Sequence, residues 1–146
     1  MLATIETYLP SSAEKVWEAL LRRDTFLYVT SGMLGFRGRE RWPDVFHQGM
    51  EIETRLVFWH LIPGWKHTLR IVRVDKESKE LVSEESGGPV QKWNHRIRLE
   101  REAAQKCNYT DEVEIEAGPL TAVIWAFAQV FYRYRQMRWR RLARTL

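Results

Sequence analysis

Three polar residues of this chain share strand faces with apolar residues, and their side chains suit a buried acid–base pair. In residues 93–99, which alternate as a strand, His95 has the parity of three apolar residues. In residues 109–115, Tyr109 and Asp111 have the parity of two aliphatic residues. Alternate residues of a strand point to the same face, so all three side chains are expected to face inward. The two segments are consecutive strands, which would bring His95 and Asp111 within reach of each other.

The predicted His95–Asp111 pair admits two interpretations. In the structural interpretation, the two residues pair because a buried ionisable group is costly when unpaired. The pair then fixes the strand register or caps the last helix. Alternatively, a histidine beside a carboxylate is a common acid–base device in enzymes. We favour the structural interpretation and keep His95, Asp111 and Tyr109 as the candidate catalytic residues.

Other familiar site chemistry lacks its motifs in this sequence. The four histidines do not have the spacing of zinc ligands, and the single Cys107 can form neither a cysteine cluster nor an internal disulfide. No phosphate-binding glycine loop and no serine-nucleophile elbow is present. We therefore predict neither a metal site nor a cofactor.

A long helix is predicted at the end of the chain, from Gly118 to Leu146. Gly118-Pro119 is a good helix start because proline at the first helical position needs no N–H, and no glycine or proline follows. Residues 120–132 are almost all apolar, whereas six arginines and no acid follow Tyr132. We expect the first half to be enclosed and the second half to lie on a surface. The apolar run is shorter than the ~20 residues that a bilayer requires, so we predict no stable membrane insertion.

The helix-end arginines account for the basic character of the chain. The formal net charge is +4, but the rest of the chain carries 17 basic against 19 acidic residues. Cations near a helix C-terminus are favoured by the helix dipole, so the arginines require no partner. We predict no nucleic-acid partner and keep an interaction with acidic partners or membranes as an alternative use of this helix end. One cysteine and no visible secretory signal predict a cytoplasmic location.

The rest of the chain predicts a strand, one or two short helices and then a run of strands. Residues 2–9 alternate weakly as a strand, and Ser11 with Glu14 has the spacing of a capping box for a helix over residues 12–23. Residues 25–30 are ambiguous between a loop and a second short helix.

About six strands are predicted between Leu34 and Glu116, the first of them over residues 34–42. Pro63-Gly64 and Gly87-Gly88-Pro89 indicate turns, and a change of parity after Ile71 indicates a bulge. The connections are too short for parallel crossovers, so the sheet should be antiparallel. We predict one α+β domain over residues 1–146, in which a curved sheet of about seven strands wraps around the C-terminal helix.

This order of elements, together with three short segments, resembles the SRPBCC superfamily. The segments are Ser12–Leu20 after the first strand, Gly88-Pro89 ahead of Trp93-Asn94-His95, and Tyr109–Val113 before the last helix. The superfamily includes START lipid-transfer domains, pollen-allergen-type binding proteins and polyketide cyclases. The resemblance implies a helix-grip fold with an apolar cavity between the sheet and the C-terminal helix. It implies no catalytic residue, because these carriers, sensors and cyclases share no catalytic set.

The resemblance and the apolar patterns together predict a binding protein. Its ligand would be an apolar or aromatic small molecule, such as a polyketide, quinone or lipid, held in the cavity without turnover. The alternatives are an enzyme of polyketide cyclase or dehydrase type that uses His95 and Asp111, and an interaction module that uses the arginine-rich helix end. A homodimer is left open. The predicted ligand-binding residues are Phe58, Trp93, His95, Ile97, Leu99, Tyr109, Asp111, Ile124, Trp125, Phe127 and Phe131.

Overall fold

The computed structural model describes residues 1–146 and contains one antiparallel sheet and three α-helices. The strands are β1 (Leu2–Leu9), β2 (Leu34–Arg37), β3 (Glu51–Phe58), β4 (Ile62–Asp75), β5 (Glu80–Gly87), β6 (Val90–Ala103) and β7 (Lys106–Glu116). The helices are α1 (Ala13–Leu20), α2 (Arg23–Thr30) and α3 (Thr121–Ala143), with short 3-10 turns at Arg39–Arg41 and Gly118–Leu120. The sheet order is β1-β7-β6-β5-β4-β3-β2. The predicted α+β helix-grip architecture is confirmed.

The two short helices between β1 and β2 lie at one end of the sheet. Ser12, rather than Ser11, caps α1, because the Ser12 side chain accepts a hydrogen bond from the backbone N–H of Lys15. The ambiguous residues 25–30 belong to α2, whose first residue is Arg23. Helix α1 packs against β6 and β7, and helix α2 packs against β2 and α3.

The turn predicted at Pro63-Gly64 is wrong, since the chain reverses direction earlier. Phe58 pairs with Ile62, and Trp59 and His60 between them adopt positive φ angles of 50° and 62°. Pro63 is the second residue of β4, near a strand end, where proline is tolerated. Gly64 is needed for close packing, because a Cβ there would lie 2.8 Å from the Phe58 ring.

Two other details of the sheet test the sequence patterns. The bulge predicted after Ile71 is confirmed, because the register between β4 and β5 shifts between Ile71 and Arg73. The strand predicted over residues 34–42 is too long. It ends at Arg37, because Gly38 takes a left-handed conformation with φ of 80° and starts a 3-10 turn.

The predicted contrast between an enclosed first half and a surface-lying second half of α3 is wrong, because each half has a buried side and an exposed side. In the first half Phe131 and Tyr132 are buried whereas Val123 and Val130 are 67% and 61% exposed, and in the second half Trp139 is only 1% exposed whereas Arg141 is exposed. The whole helix runs along β1, and its second half also packs on α2, where Arg138 donates to the carbonyl of Tyr28. The prediction failed because it used apolar content alone, and content does not show which elements cover a helix. No helix of the protein has the length and apolarity that spanning a membrane requires.

The uneven burial of residues along α3 predicts where the helix is sensitive to truncation. Trp139→Ala should lower the free energy of unfolding by about 3–5 kcal/mol, because it removes a large buried side chain. Val123→Ala, in the more apolar half, should change it by no more than about 0.5 kcal/mol because Val123 is exposed. Urea unfolding followed by circular dichroism measures both values. Equal losses in the two variants would contradict the described seating of α3.

Candidate functional site

A cavity of about 310 Å³ lies between the inner face of the sheet, α2 and α3. Of its 29 lining residues, 22 are hydrophobic, so the space is suited to an apolar molecule. The volume is at the lower end of the roughly 300–1,000 Å³ range of small-molecule sites. Strands β3 to β6 supply the floor, and Ile124, Phe127 and Phe131 of α3 supply part of the roof.

The cavity reaches the surface between the β3–β4 turn and the first half of α3. Trp59 and Ile62 are the only lining residues that are largely exposed, at 51% and 53%. The Trp59 and Phe127 rings approach edge to face across this opening, with centroids 6.3 Å apart. A ligand therefore has an apolar entrance framed by aromatic side chains.

Seven of the eleven predicted ligand-binding residues line the cavity, and four do not. The lining residues are Phe58, Trp93, His95, Ile97, Ile124, Phe127 and Phe131. Leu99 and Tyr109 are buried in the core without lining the cavity, because strand parity predicts the face of a residue but not its position along the cavity. Asp111 lies behind His95 instead of lining the space.

Trp125 is the fourth predicted residue outside the cavity, and helix geometry explains the error. Trp125 and Phe127 are two residues apart, which places them about 200° apart around a helix. Only Phe127 faces the cavity. Trp125 faces β1, where its Nε1 donates a hydrogen bond of 2.9 Å to the carbonyl of Leu2.

A polar row crosses the inner face of the sheet on four neighbouring strands. It consists of His67, Ser83, Glu85, His95 and Asp111. Nε2 of His95 lies 2.6 Å from Oδ1 of Asp111, and Nε2 of His67 lies 2.8 Å from Oε1 of Glu85. Ser83 donates to the other oxygen of Glu85 at 3.1 Å. The row therefore contains two histidine–carboxylate pairs in an otherwise apolar wall.

Asp111 joins the polar row to the rest of the fold. Its fully buried carboxylate accepts hydrogen bonds from His95, from the Tyr109 hydroxyl and from Nε2 of Gln136 on α3. The same Gln136 amide donates to the carbonyl of Ile5 on β1 at 2.7 Å. An ionised carboxylate only accepts, so the hydrogen shared with Asp111 belongs to Nε2 of His95, and Nδ1 is an acceptor whenever the imidazole is neutral.

The second pair, His67–Glu85, was not predicted from the sequence. Both residues line the cavity, and the parity that identified His95 would have identified them, since His67 alternates with Leu69 and Ile71. Burial alone would raise the pKa of Glu85. The hydrogen bond and positive charge of His67, helped by His95 and Ser83, outweigh burial and hold that pKa below its ordinary value.

Tyr132 and Arg135 on α3 also face the cavity, opposite the polar row. The Tyr132 hydroxyl accepts a hydrogen bond of 2.9 Å from Nε1 of Trp93, and burial raises the pKa of Tyr132 above its ordinary value. Arg135 is 4% exposed, which corrects the expectation that the arginines lie on a surface. The spacing of the sequence could have indicated this burial, because Arg135 lies four residues from both Phe131 and Trp139 and therefore shares their face of the helix.

The remaining reactive groups provide no other site. No three metal-ligating side chains come together in the protein. Burial, with the charge of Glu14, raises the pKa of Cys107 to about 11, so this thiol stays protonated at neutral pH. The chemistry available at the cavity is that of the two histidine–carboxylate pairs, Tyr132 and Arg135.

Several solved structures share this architecture. A truncated norcoclaurine synthase from Thalictrum flavum is 14% identical, with a TM-score of 0.70 over 97% of this chain and 92% of its own. A START superfamily protein from Mycobacterium smegmatis is 8% identical, with a TM-score of 0.71 over 99% and 97%. The di-domain ARO/CYC BexL is 12% identical, with a TM-score of 0.73 over 97% of this chain and 45% of its own. The norcoclaurine synthase has also been solved in complex with dopamine and hydroxybenzaldehyde.

These likenesses show that the chain has the helix-grip fold that these solved structures share. At identities of 8–14% they show the fold and not the activity. No protein-family model matches the sequence, and no curated protein matches it either.

The His95–Asp111 contact predicts a measurable coupling between the two residues. His95→Gln and Asp111→Asn should each lower the free energy of unfolding by about 1–3 kcal/mol, because each leaves a buried polar partner unsatisfied. The double variant should lose less than the sum of the single losses, with a coupling of about 0.5–3 kcal/mol. Urea unfolding of all four proteins gives the coupling.

Glu112→Gln is the matched control, since Glu112 follows Asp111 but reaches only partly exposed arginines on the outer face of β7. It should change the free energy of unfolding by less than about 1 kcal/mol. Strictly additive effects of the His95 and Asp111 substitutions would contradict the pair.

Proposed function

We propose that this protein binds an apolar, ring-containing small molecule in the cavity and releases it unchanged. The observation that carries the proposal is the cavity itself, a predominantly apolar space of about 310 Å³ with an opening at Trp59 and Ile62. An apolar space of this kind is the usual form of a small-molecule site. Burial of apolar ligand surface there would supply the driving force for binding.

The size and walls of the cavity support a compact aromatic ligand over a large lipid. Its volume is at the low end for small-molecule sites, so a polyketide fragment or quinone suits it better than a two-chain lipid. Phe127 and Phe131 stack with their centroids 5.7 Å apart, and Trp65 and Trp93 line the same space. The aromatic molecules bound by norcoclaurine synthase are consistent with this class of ligand.

A second candidate function is acid–base catalysis of the polyketide cyclase or dehydrase type. Its support is the position of His95, which lines the cavity while Asp111 holds its Nε2 from behind. A histidine fixed in this way can accept a proton through Nδ1. The candidate catalytic group is His95, positioned by Asp111. Tyr109 does not line the cavity and donates to the carboxylate only at 3.5 Å.

The interaction-module alternative has less support. Three of the helix-end arginines donate hydrogen bonds within the protein: Arg133 to the carbonyl of Gln129, Arg138 to the carbonyl of Tyr28 and Arg140 to the hydroxyl of Thr7. The guanidinium of Arg138 also lies 4.1 Å from the centre of the Tyr28 ring. These contacts explain the side chains without an external partner. The cytoplasmic location and the homodimer remain predictions.

A neutral fluorescent probe tests the binding function. N-phenylnaphthylamine, which fluoresces in apolar surroundings, should bind the protein saturably at one site. Ile97→Phe should weaken binding roughly tenfold or more, because the larger side chain takes up part of the ligand space and overfilling it with the probe costs about 1–3 kcal/mol. Val123→Phe adds the same ring on the exposed face of α3 and should leave the affinity unchanged. Fluorescence titration of the three proteins gives the dissociation constants.

Absence of saturable binding to the wild-type protein would overturn the binding function, and equal weakening by both variants would place the probe elsewhere. Organic compounds extracted from the purified protein and identified by mass spectrometry would then distinguish the two candidates. A carrier returns the extracted compound unchanged. Conversion of that compound by wild-type protein but not by His95→Gln would favour the enzyme.

A further inference from the structure

Arg135 is a buried cation without a partner in the protein. It is 4% exposed and lines the cavity, and its Nε is buried without a hydrogen-bond acceptor. Its neighbours on the helix differ in this respect, since Arg138 and Arg140 donate to a backbone carbonyl and to a hydroxyl. A buried charge that lacks a partner is strongly disfavoured, so its position requires an explanation.

Aromatic rings surround the Arg135 guanidinium and do not replace an anionic partner. The guanidinium carbon lies 5.8 Å from the centre of the Phe26 ring, 5.9 Å from Phe131 and 5.3 Å from Tyr132. Contacts of this kind are favourable to a cation, but a ring face is no charged acceptor for the N–H donors of arginine. The Nε atom is itself too buried to reach, so the terminal Nη atoms are the donors that can meet a molecule in the cavity.

The nearby carboxylates are already occupied by other donors. Asp111 accepts from His95, Tyr109 and Gln136. Glu85 accepts from His67 and Ser83. Burial lowers the pKa of Arg135, but Tyr109, Asp111, Tyr132 and Glu85 together raise it above its ordinary value, so the guanidinium stays charged. Arg135 is thus a permanent cation that faces the cavity while both neighbouring acids are hydrogen-bonded elsewhere.

We infer that Arg135 binds a carboxylate carried by the apolar ligand. A planar guanidinium donates two parallel hydrogen bonds to a carboxylate, and such charged bonds are stronger in surroundings that exclude water. A singly charged acid suits the site better than a phosphate, because Asp111 and Glu85 already place two negative charges near Arg135. The inference rests on the proposed binding function and specifies its ligand class as compact, ring-containing carboxylic acids.

A matched pair of competitors separates this inference from binding itself. Naphthaleneacetic acid and naphthaleneacetamide have the same ring system and differ in the acidic group. Each is titrated against protein loaded with N-phenylnaphthylamine, and the loss of fluorescence gives its inhibition constant. The wild-type protein should bind the acid about 10- to 100-fold more tightly than the amide, as expected for a buried charged pair of hydrogen bonds.

Variants of two arginines on the same helix locate the preference. Arg135→Met should remove the preference for the acid, measured as the ratio of the two inhibition constants in the same variant, so that any change in the overall affinity of the cavity cancels. Arg141→Met removes the same charge from an exposed position and should retain the preference. Arg135→Lys keeps the positive charge but lacks the planar guanidinium that donates two parallel hydrogen bonds, so it should retain part of the preference for the acid. It provides a second variant if Arg135→Met does not fold.

Each outcome decides a different point. No preference for the acid in wild-type protein that binds the neutral probe would overturn the inference and leave the binding function intact. A preference that persists in Arg135→Met, or that disappears equally in Arg141→Met, would also overturn it. Failure of the wild-type protein to bind the neutral probe would overturn the binding function, and the inference with it.

Discussion

The buried carboxylate of Asp111 is the interaction on which the arrangement of this protein depends. It is fully enclosed, and such a charge is tolerable only where hydrogen bonds replace its hydration. His95, Tyr109 and Gln136 supply those bonds from β6, β7 and α3. Gln136 then extends the connection to β1 through the carbonyl of Ile5. One polar network thus fixes the seating of the second half of α3 on the sheet.

The cavity follows from this asymmetric seating of α3. The second half is held between β1 and α2, whereas the first half has β1 on one side and the cavity opening on the other. Two adjacent residues of α3 face these two surroundings: Gln136 points toward the strands and Arg135 points toward the cavity. The network that stabilises the helix therefore also sets the position of the one unpartnered cation that faces the ligand space.

The sequence predicted the structure correctly where the alternation of residues along a strand determines which way a side chain faces. It was misleading where burial depends on how separate elements pack together. Strand parity placed His95 and Asp111 on one face, and the pair forms. Parity could not show that Leu99 lies beyond the cavity, since it contains no information about depth along a strand. Composition placed the first half of α3 inside, but the identity of the covering elements is a tertiary property. Arg135 was missed because arginine near a helix C-terminus already has an electrostatic explanation that requires no burial.

The location of a bound ligand is the most direct test of the central claim that the cavity is the binding site. The indole N–H signals of the tryptophans can be followed by nuclear magnetic resonance while N-phenylnaphthylamine is added to isotope-labelled protein. Trp65 and Trp93 line the cavity, whereas Trp17 and Trp125 do not. We expect the signals of Trp65 and Trp93 to shift to saturation while those of Trp17 and Trp125 stay in place. Shifts confined to Trp125, or no shift of any cavity tryptophan at saturating probe, would contradict the account.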